Sequence, residues 1–512
     1  MVPAEKTEGV RYGKLITLFN HGRYEAVVAA TLPASETQDA PLTLLGARAM
    51  LRIESNPDRI ALAIAAVRNL TLTGKHRAEA LLICGIAKMS EPDLLTARHY
   101  MEAARLLTHN LDLLAEIGYN LAKCDHGEGK YDPTVVESYG AFKSKNDLHL
   151  GRAYLMRAYM HHGLHRNADF LHLLQRALKC FDQVAEIDII WKMTVALNLI
   201  CTGMEVGDRE AVGVGEVAMG QINWSHPGTS LAPMRYLAAR GLAWFRLLCG
   251  EPEEALSLFR RSIEIAPTPA YRLLSIADRA LIAQTERSNL WVRDCLNEAA
   301  SQMREINWDA TSGEECLALL SLARIVGITQ PKEARKHLEL FWAIQSKQEK
   351  AQGSHTPRIL AMANMSLASV LTGLDETEMA LPYLTSAEKT LYELGFKWRL
   401  CEALEIRGRI TKDPNTFTHA QKIIDEIYPL SWVARDIRGQ LAQQHLSAIT
   451  PAERRVLAQI YNFREWSNTE TAVALHIATK TLAIHLNSLG KKFGVVGRKA
   501  IVKWCEAQRL NP

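Results

Sequence analysis

Residues 236–267 read YLAARGLAWFRLLCGEPEEALSLFRRSIEIAP. Gly241, Leu242 and Ala243 lie in one apolar stretch of helical period, Gly250 interrupts it, and Glu254-Ala255, Phe259 and Ser262 resume the period before Pro267 closes the unit. Glycine is the residue that most readily ends a helix, and a proline just past a helix prevents its continuation. The stretch therefore predicts two helices joined by a tight turn. Their small residues let the backbones approach, and Phe259 fills the groove of the next helix.

The same logic recurs along the chain. Gly85 stands with Ala97, Met101 and Ala104; Leu322 with Ala334, Leu338 and Phe341; Ala368 with Ala380, Leu384 and Ala387. Looser copies centre on Ala26, Ala61, Ala211, Leu296 and Ala420, and residues 112–186 are expected to hold longer, less regular helices. A helical pair cannot bury its apolar face alone, so repeated pairs stack into one continuous core and leave a concave face for a ligand or partner. Anchors recur at spacings of 33 to 46 residues, wider than the ~34 of a strict tetratricopeptide array. The unit resembles a tetratricopeptide repeat. That resemblance implies an all-α, right-handed superhelix of about ten hairpins over residues 1–429, with longer helices than the consensus.

A second pattern occupies residues 446–512. Thr450-Pro451-Ala452-Glu453 and Ser467-Asn468-Thr469-Glu470 are capping-box sequences, in which hydroxyl and carboxylate satisfy each other's backbone amides at a helix start. They predict short helices to Tyr461 and over 469–475. A longer helix follows from Thr479 to Phe493, stopped by Gly494, and a last one runs over 498–509. Two short helices, a turn and a basic third helix have the form of a helix-turn-helix. Charge agrees with this: 446–512 carries ten Lys or Arg against four Asp or Glu, a balance of +6, while the other 445 residues carry fifty against fifty-two, a balance of −2. Basic character confined to one segment is the footprint of a surface that meets phosphate.

The order of Ile449-Thr450-Pro451, Glu453-Arg454, Val456-Leu457, Ser467-Asn468, Glu470, Ala472, Lys480-Thr481, His485, Lys492 and Gly494-Val495 resembles the LuxR-type DNA-binding domain. The resemblance makes Lys480, His485 and Lys492 candidate phosphate contacts and puts Thr481, Ala483, Ile484 and Asn487 near base edges. Lys491, Arg498 and Lys499 join this basic set. It further implies a homodimer on double-stranded DNA through the last helix, with Ile501, Lys503 and Gln508 as interface candidates. Departures are specific. Arg464-Glu465-Trp466 is an insertion expected to bulge between the first two helices, Thr471 replaces a hydrophobic residue, and Ala478 stands where a serine cap is usual. Joined to a helical-repeat body, the segment resembles the maltose regulon activator family, without its ATPase module: no GxxxxGK[ST] phosphate loop occurs.

Between the two parts, residues 430–445 read as a connecting helix, with Val433, Ile437 and Leu441 at helical spacing. No apolar run approaches the ~20 residues that span a bilayer, and no signal-peptide pattern opens the chain. Nine scattered cysteines without a CxxC pair fit buried thiols in a reducing cytoplasm. Polar stretches containing Gly or Pro, such as 126–133, 221–233 and 352–357, fit hairpin connections.

Other constellations have bland readings. His161 and His165 are four apart, with His162, His149 and His172 nearby, but no carboxylate or cysteine completes a metal set. Trp191, Trp224, Trp244, Trp291, Trp308, Trp342 and Trp398 read as core or groove-lining residues. Cys505 reads as a packed thiol. No GxSxG, HExxH or paired-carboxylate pattern points to catalysis, and scattered acids and bases on amphipathic helices read as solvated faces. The expectation is a cytoplasmic transcription regulator, an activator, whose repeat domain receives a small-molecule, peptide or protein signal, with no enzyme activity and no cofactor. The alternative is a helical-repeat scaffold whose C-terminal unit has lost DNA binding.

Overall fold

The computed structural model describes residues 4–31, 39–53, 57–68, 74–90, 93–185, 187–222, 232–285, 289–308, 316–327, 330–352, 357–447 and 449–507. Among them are 27 helices and no strand, and the helices pack in sequential pairs suggestive of repeats. The pair quoted above forms as Ala232–Leu248 and Pro252–Glu264, with Gly250 at φ +83° in the turn and Ala255, Phe259 and Ser262 fully buried. Gly85 shows why a small residue is needed between paired helices. A Cβ added there would lie 2.9 Å from Met101 Cγ and 3.1 Å from the Ala97 carbonyl oxygen, the partners that the spacing assigned to it. Over 111–182 the main helices are of ordinary length, Leu111–Gly127, Asp147–Gly163 and Asn167–Asp182; the irregularity is the four-residue helix Val135–Ser138 inserted between them.

Helix ends follow local chemistry. Asp93, Asn110, Asp208 and Asp413 each accept a backbone N–H of the first turn they cap, and Pro252, Pro414 and Pro451 sit inside first turns where no amide partner is lost.

The helix Ile189–Val206 joins two parts of the array that each fold back on themselves. At its start, the Asp188 carboxylate accepts the Tyr24 hydroxyl at 2.5 Å and the Arg52 Nε at 3.1 Å, so the first helices return to it. At its end, the Met204 carbonyl accepts the Tyr428 hydroxyl at 2.9 Å, and Arg209 just beyond donates to the Ile427 carbonyl at 2.7 Å. The inner faces are thereby brought together. Composition makes this helix long and apolar enough to cross a membrane, but 56% of it is buried inside the array.

Charged residues fill those inner faces, which corrects the reading of scattered charges as solvated. In the first part Glu116 accepts from Arg48 at 2.9 Å and pairs with Arg152 at 3.2 Å. In the second, Arg240 donates to Asp278 at 2.6 Å, and Glu402 accepts from Arg399 at 2.9 Å and Arg324 at 3.1 Å. Asp278, Glu402, Arg399, Arg240 and Arg152 are all buried. Each is paired, as a buried charge must be. A cavity of about 20 Å³ remains between Arg240, Trp244, Asp278, Arg324 and Arg399, room for about one water.

Residues 449–505 gather a separate core of Ile449, Val456, Leu457, Ile460, Leu482, Leu486, Leu489, Phe493, Ile501 and Cys505 among others. The helix Trp432–Ser447 links the two: Val433 and Ile437 pack in the core of the array, and Leu446 packs against the C-terminal one.

Candidate nucleic-acid interface

The C-terminal unit consists of helices Pro451–Asn462, Asn468–Ala474, Thr479–Phe493 and Arg498–Ala507. Both capping boxes form. Thr450 N–H donates to Glu453 at 2.6 Å and Glu453 N–H to Thr450 Oγ1 at 3.2 Å; Ser467 and Glu470 repeat this with the same distances. Gly494 takes φ +67° and ends the third helix. Phe493 and Trp504 stack at 4.2 Å, fixing the last helix on the third.

The third helix buries Leu482, Leu486, Leu489 and Phe493, which decides what its other faces can do. Lys480, Ile484, Asn487 and Lys491, spaced at i, i+4, i+7 and i+11, form one exposed stripe, with Ile484 61% exposed. At 1.5 Å per residue the two lysines stand ~16 Å apart along the helix, slightly more than the ~12 Å width of a major groove. Thr481, His485, Ser488 and Lys492 form a half-buried flank. Ser488 Oγ and Lys492 Nζ each donate to the Glu453 carboxylate at 2.6 Å, so the capping acid of the first helix also fastens the third.

Two predicted contact residues therefore already have internal partners. Lys492 pairs with Glu453, which is 4% exposed. Arg498 donates to Thr471 Oγ1 at 2.9 Å and to the Phe463 carbonyl at 2.8 Å, tying the last helix to the second and to the inserted turn. That turn is itself folded against the unit: Phe463 stacks on Trp466 at 4.2 Å, and Arg464 pairs with Glu506. Thr471, the departure from a hydrophobic residue, is fully buried and satisfies its hydroxyl on the Ser467 carbonyl at 2.9 Å. Of the dimer candidates, Ile501 is fully buried in the unit's core, Lys503 is exposed, and Gln508 lies outside the described residues.

Ala478 occupies the cap position of the third helix with extended backbone and no side-chain bond. Ala478→Ser supplies the missing acceptor, and the expected gain is about 1 kcal/mol in urea unfolding of the unit. No gain would mean that solvent already satisfies those amides.

Burial alone would raise the Glu453 pKa. The Lys492 and Ser488 hydrogen bonds outweigh it and hold the group at about 2, below its ordinary 4.5. A depressed carboxylate contributes stability above its unfolded pKa and loses it as pH falls through the folded value, here from about 4.5 towards 2. Glu453→Gln should cost about 1–2 kcal/mol at neutral pH, after allowance for nearby solvent, and flatten the acid limb of stability against pH. Equal acid sensitivity in both proteins would place the titrating group elsewhere.

The remaining sequence candidates separate by position. His162 packs on Phe170 with ring centres 4.8 Å apart, and His161 Nδ1 lies 3.3 Å from Asp169; among the described residues no metal-binding cluster occurs. Trp398, Trp244 and Trp191 are buried, Trp291, Trp308 and Trp342 are partly buried against the large core, and Trp224 lies outside the described residues, as do most of 221–233 and 352–357. Burial pushes the Cys505 thiol up to about 11, in keeping with a packed residue. Sequence reasoning missed Ser488, whose serine identity three positions after His485 gave no sign of its bond to Glu453. No known family model matches the chain, and no curated protein matches it significantly. What the geometry establishes is an all-helical protein of about 27 helices packed in pairs, consistent with a helical-repeat domain.

Proposed function

We propose that the chain is a DNA-binding transcription regulator, an activator, in which a tetratricopeptide-like right-handed superhelix receives a signal and a LuxR-type helix-turn-helix over 446–512 reads a promoter. The observation that carries this reading is the exposed stripe Lys480, Ile484, Asn487 and Lys491 on the third helix of a separately cored, basic unit. Lysines at the two ends of the stripe meet phosphates on either side of a groove, and the residues between them face base edges. Ile484 and Asn487 suit a thymine methyl and an adenine edge respectively. One unit has a small footprint, so a homodimer on two half-sites one helical turn apart supplies useful occupancy. The setting is cytoplasmic.

The scaffold reading draws on a different observation: Val473, Ile484 and Val496 are exposed apolar residues on the same unit, at 68%, 61% and 94%. Titration of the full-length protein against fluorescent duplex DNA over a range of salt separates the two. A regulator binds with a steep inverse dependence on salt. Absence of binding at low salt would leave the scaffold reading.

A further inference from the structure

The cavity in the second part of the array is walled by the first helices of five successive pairs: Ala232–Leu248, Pro269–Thr285, Leu317–Gly327, Pro357–Gly373 and Lys397–Thr411. Its charges are unequal. Three guanidinium groups, those of Arg240, Arg324 and Arg399, line it together with a single carboxylate, Asp278. Asp278 is well supplied with donors, accepting from Arg240 Nε at 2.6 Å, from Arg240 Nη2 at 3.3 Å and from Trp244 Nε1 at 3.1 Å. Behind the wall, one carboxylate serves both other arginines: Glu402 accepts from Arg399 at 2.9 Å and from Arg324 at 3.1 Å. Arg240 with Asp278 is neutral, whereas Arg324 and Arg399 with Glu402 carry one positive charge in excess.

The next carboxylate does not close this gap. Glu205 lies 3.8 Å from Arg399 Nε, beyond hydrogen-bond reach, and is shared with Arg358 at the same distance. Arg399 Nε is a buried donor that no protein group accepts. Buried donors are satisfied in nearly all cases by protein, water or ligand, and a buried charge calls for a counter-charge. The cavity decides which. At about 20 Å³ it exceeds the ~10–15 Å³ that one water-sized occupant needs, and it is too small for a carboxylate or phosphate group. Leu281, Leu320, Met362 and Met365 make the rest of its wall apolar, which strengthens any attraction between charges inside.

We propose that the cavity binds one monatomic anion, a chloride ion, held by the guanidinium groups of Arg324 and Arg399. A water would satisfy a donor and leave the excess charge in place. Chloride is only slightly larger than water, accepts several N–H donors at once, and supplies the counter-charge that Glu402 cannot give twice. Arg324 and Arg399 belong to Leu317–Gly327 and Lys397–Thr411, so the ion also ties two inner helices across the cavity. The site is independent of any DNA surface.

The test is chloride NMR line broadening by the full-length protein, titrated with sodium chloride at constant ionic strength made up with sodium gluconate. Broadening that saturates at one site per chain is expected, displaced by bromide but not by the larger sulfate. Arg324→Gln removes the excess charge and leaves Glu402 with Arg399. It should weaken binding about tenfold or more, the share of one charge-assisted hydrogen bond. Lys389→Met, on an exposed helix face, should leave binding unchanged. No saturable broadening by the wild type would mean that the cavity holds water, and would overturn the site. Displacement by sulfate as effective as by bromide, or equal binding by Arg324→Gln, would overturn it too. The anion series needs only the wild type, so it decides the matter even where Arg324→Gln fails to fold.

Discussion

Arg399→Ala should destabilise the array by about 3–5 kcal/mol. Arg399 is 5% exposed, donates to Glu402 at 2.9 Å, lies 3.6 Å over the Trp398 ring and 5.6 Å from Trp244, and approaches Glu205 to 3.8 Å. Its removal leaves Glu402, 2% exposed, with Arg324, and leaves Glu205, 3% exposed, with Arg358 at 3.8 Å. Neither Glu205 oxygen has a hydrogen bond to replace the lost charge. An uncompensated buried carboxylate costs far more than a lost surface pair, and the expected loss is a large share of a typical ~5–15 kcal/mol of folding stability. Because Glu205 and Arg399 belong to helices nearly two hundred residues apart, the loss should also open the contact between them. Urea unfolding followed by circular dichroism, with limited proteolysis near the Tyr428 to Met204 bond, reads both effects. A change below about 1 kcal/mol would mean that water reaches these charges and that the inner faces are not closed.

The second large effect falls on the DNA surface. Lys480→Ala combined with Lys491→Ala should lower the slope of log affinity against log salt by about 1.8, since each phosphate contact contributes ~0.9. Lys492→Ala should behave differently. Its amine is bonded to Glu453 at 2.6 Å, so its loss costs stability, about 1.5–3 kcal/mol, with little change in slope once the unit is folded. A slope change for Lys492→Ala equal to that of Lys480→Ala would show that the Glu453 pair gives way to phosphate.

The contrast between these lysines marks how far the sequence could be read. Helix boundaries in the C-terminal unit were legible because capping boxes, apolar spacing and Gly494 are local signals: Thr479 to Phe493 forms as expected, the two short helices differ by no more than one residue at either end, and the last starts at Arg498 as expected. Paired helices were legible for the same reason, since Gly85 and Ala97 or Ala255 and Phe259 carry their partners nearby in sequence. Closure was not. The contacts of Asp188 with Tyr24 and of Met204 with Tyr428 join residues 164 and 224 positions apart, and no period connects them. Arg240, Asp278, Arg399 and Glu402 look like solvated charges one helix at a time, and become interior only when the inner faces meet. Within the candidate site, exposure of Lys480, Ile484, Asn487 and Lys491 followed from the burial of Leu482, Leu486 and Leu489. The internal use of Lys492 and Arg498 did not, because a single carboxylate, Glu453, both caps its own helix and reaches across to another.

The measurement that bears most directly on function is recovery of genomic DNA fragments by the full-length protein, sequenced and compared with recovery by the Lys480→Ala, Lys491→Ala protein. Discrete enriched sites that disappear in the double variant are the predicted result, and paired half-sites within them would match a dimer. Uniform recovery by both proteins, or the same enriched sites from both, would contradict the assignment of the exposed stripe as the reader of DNA.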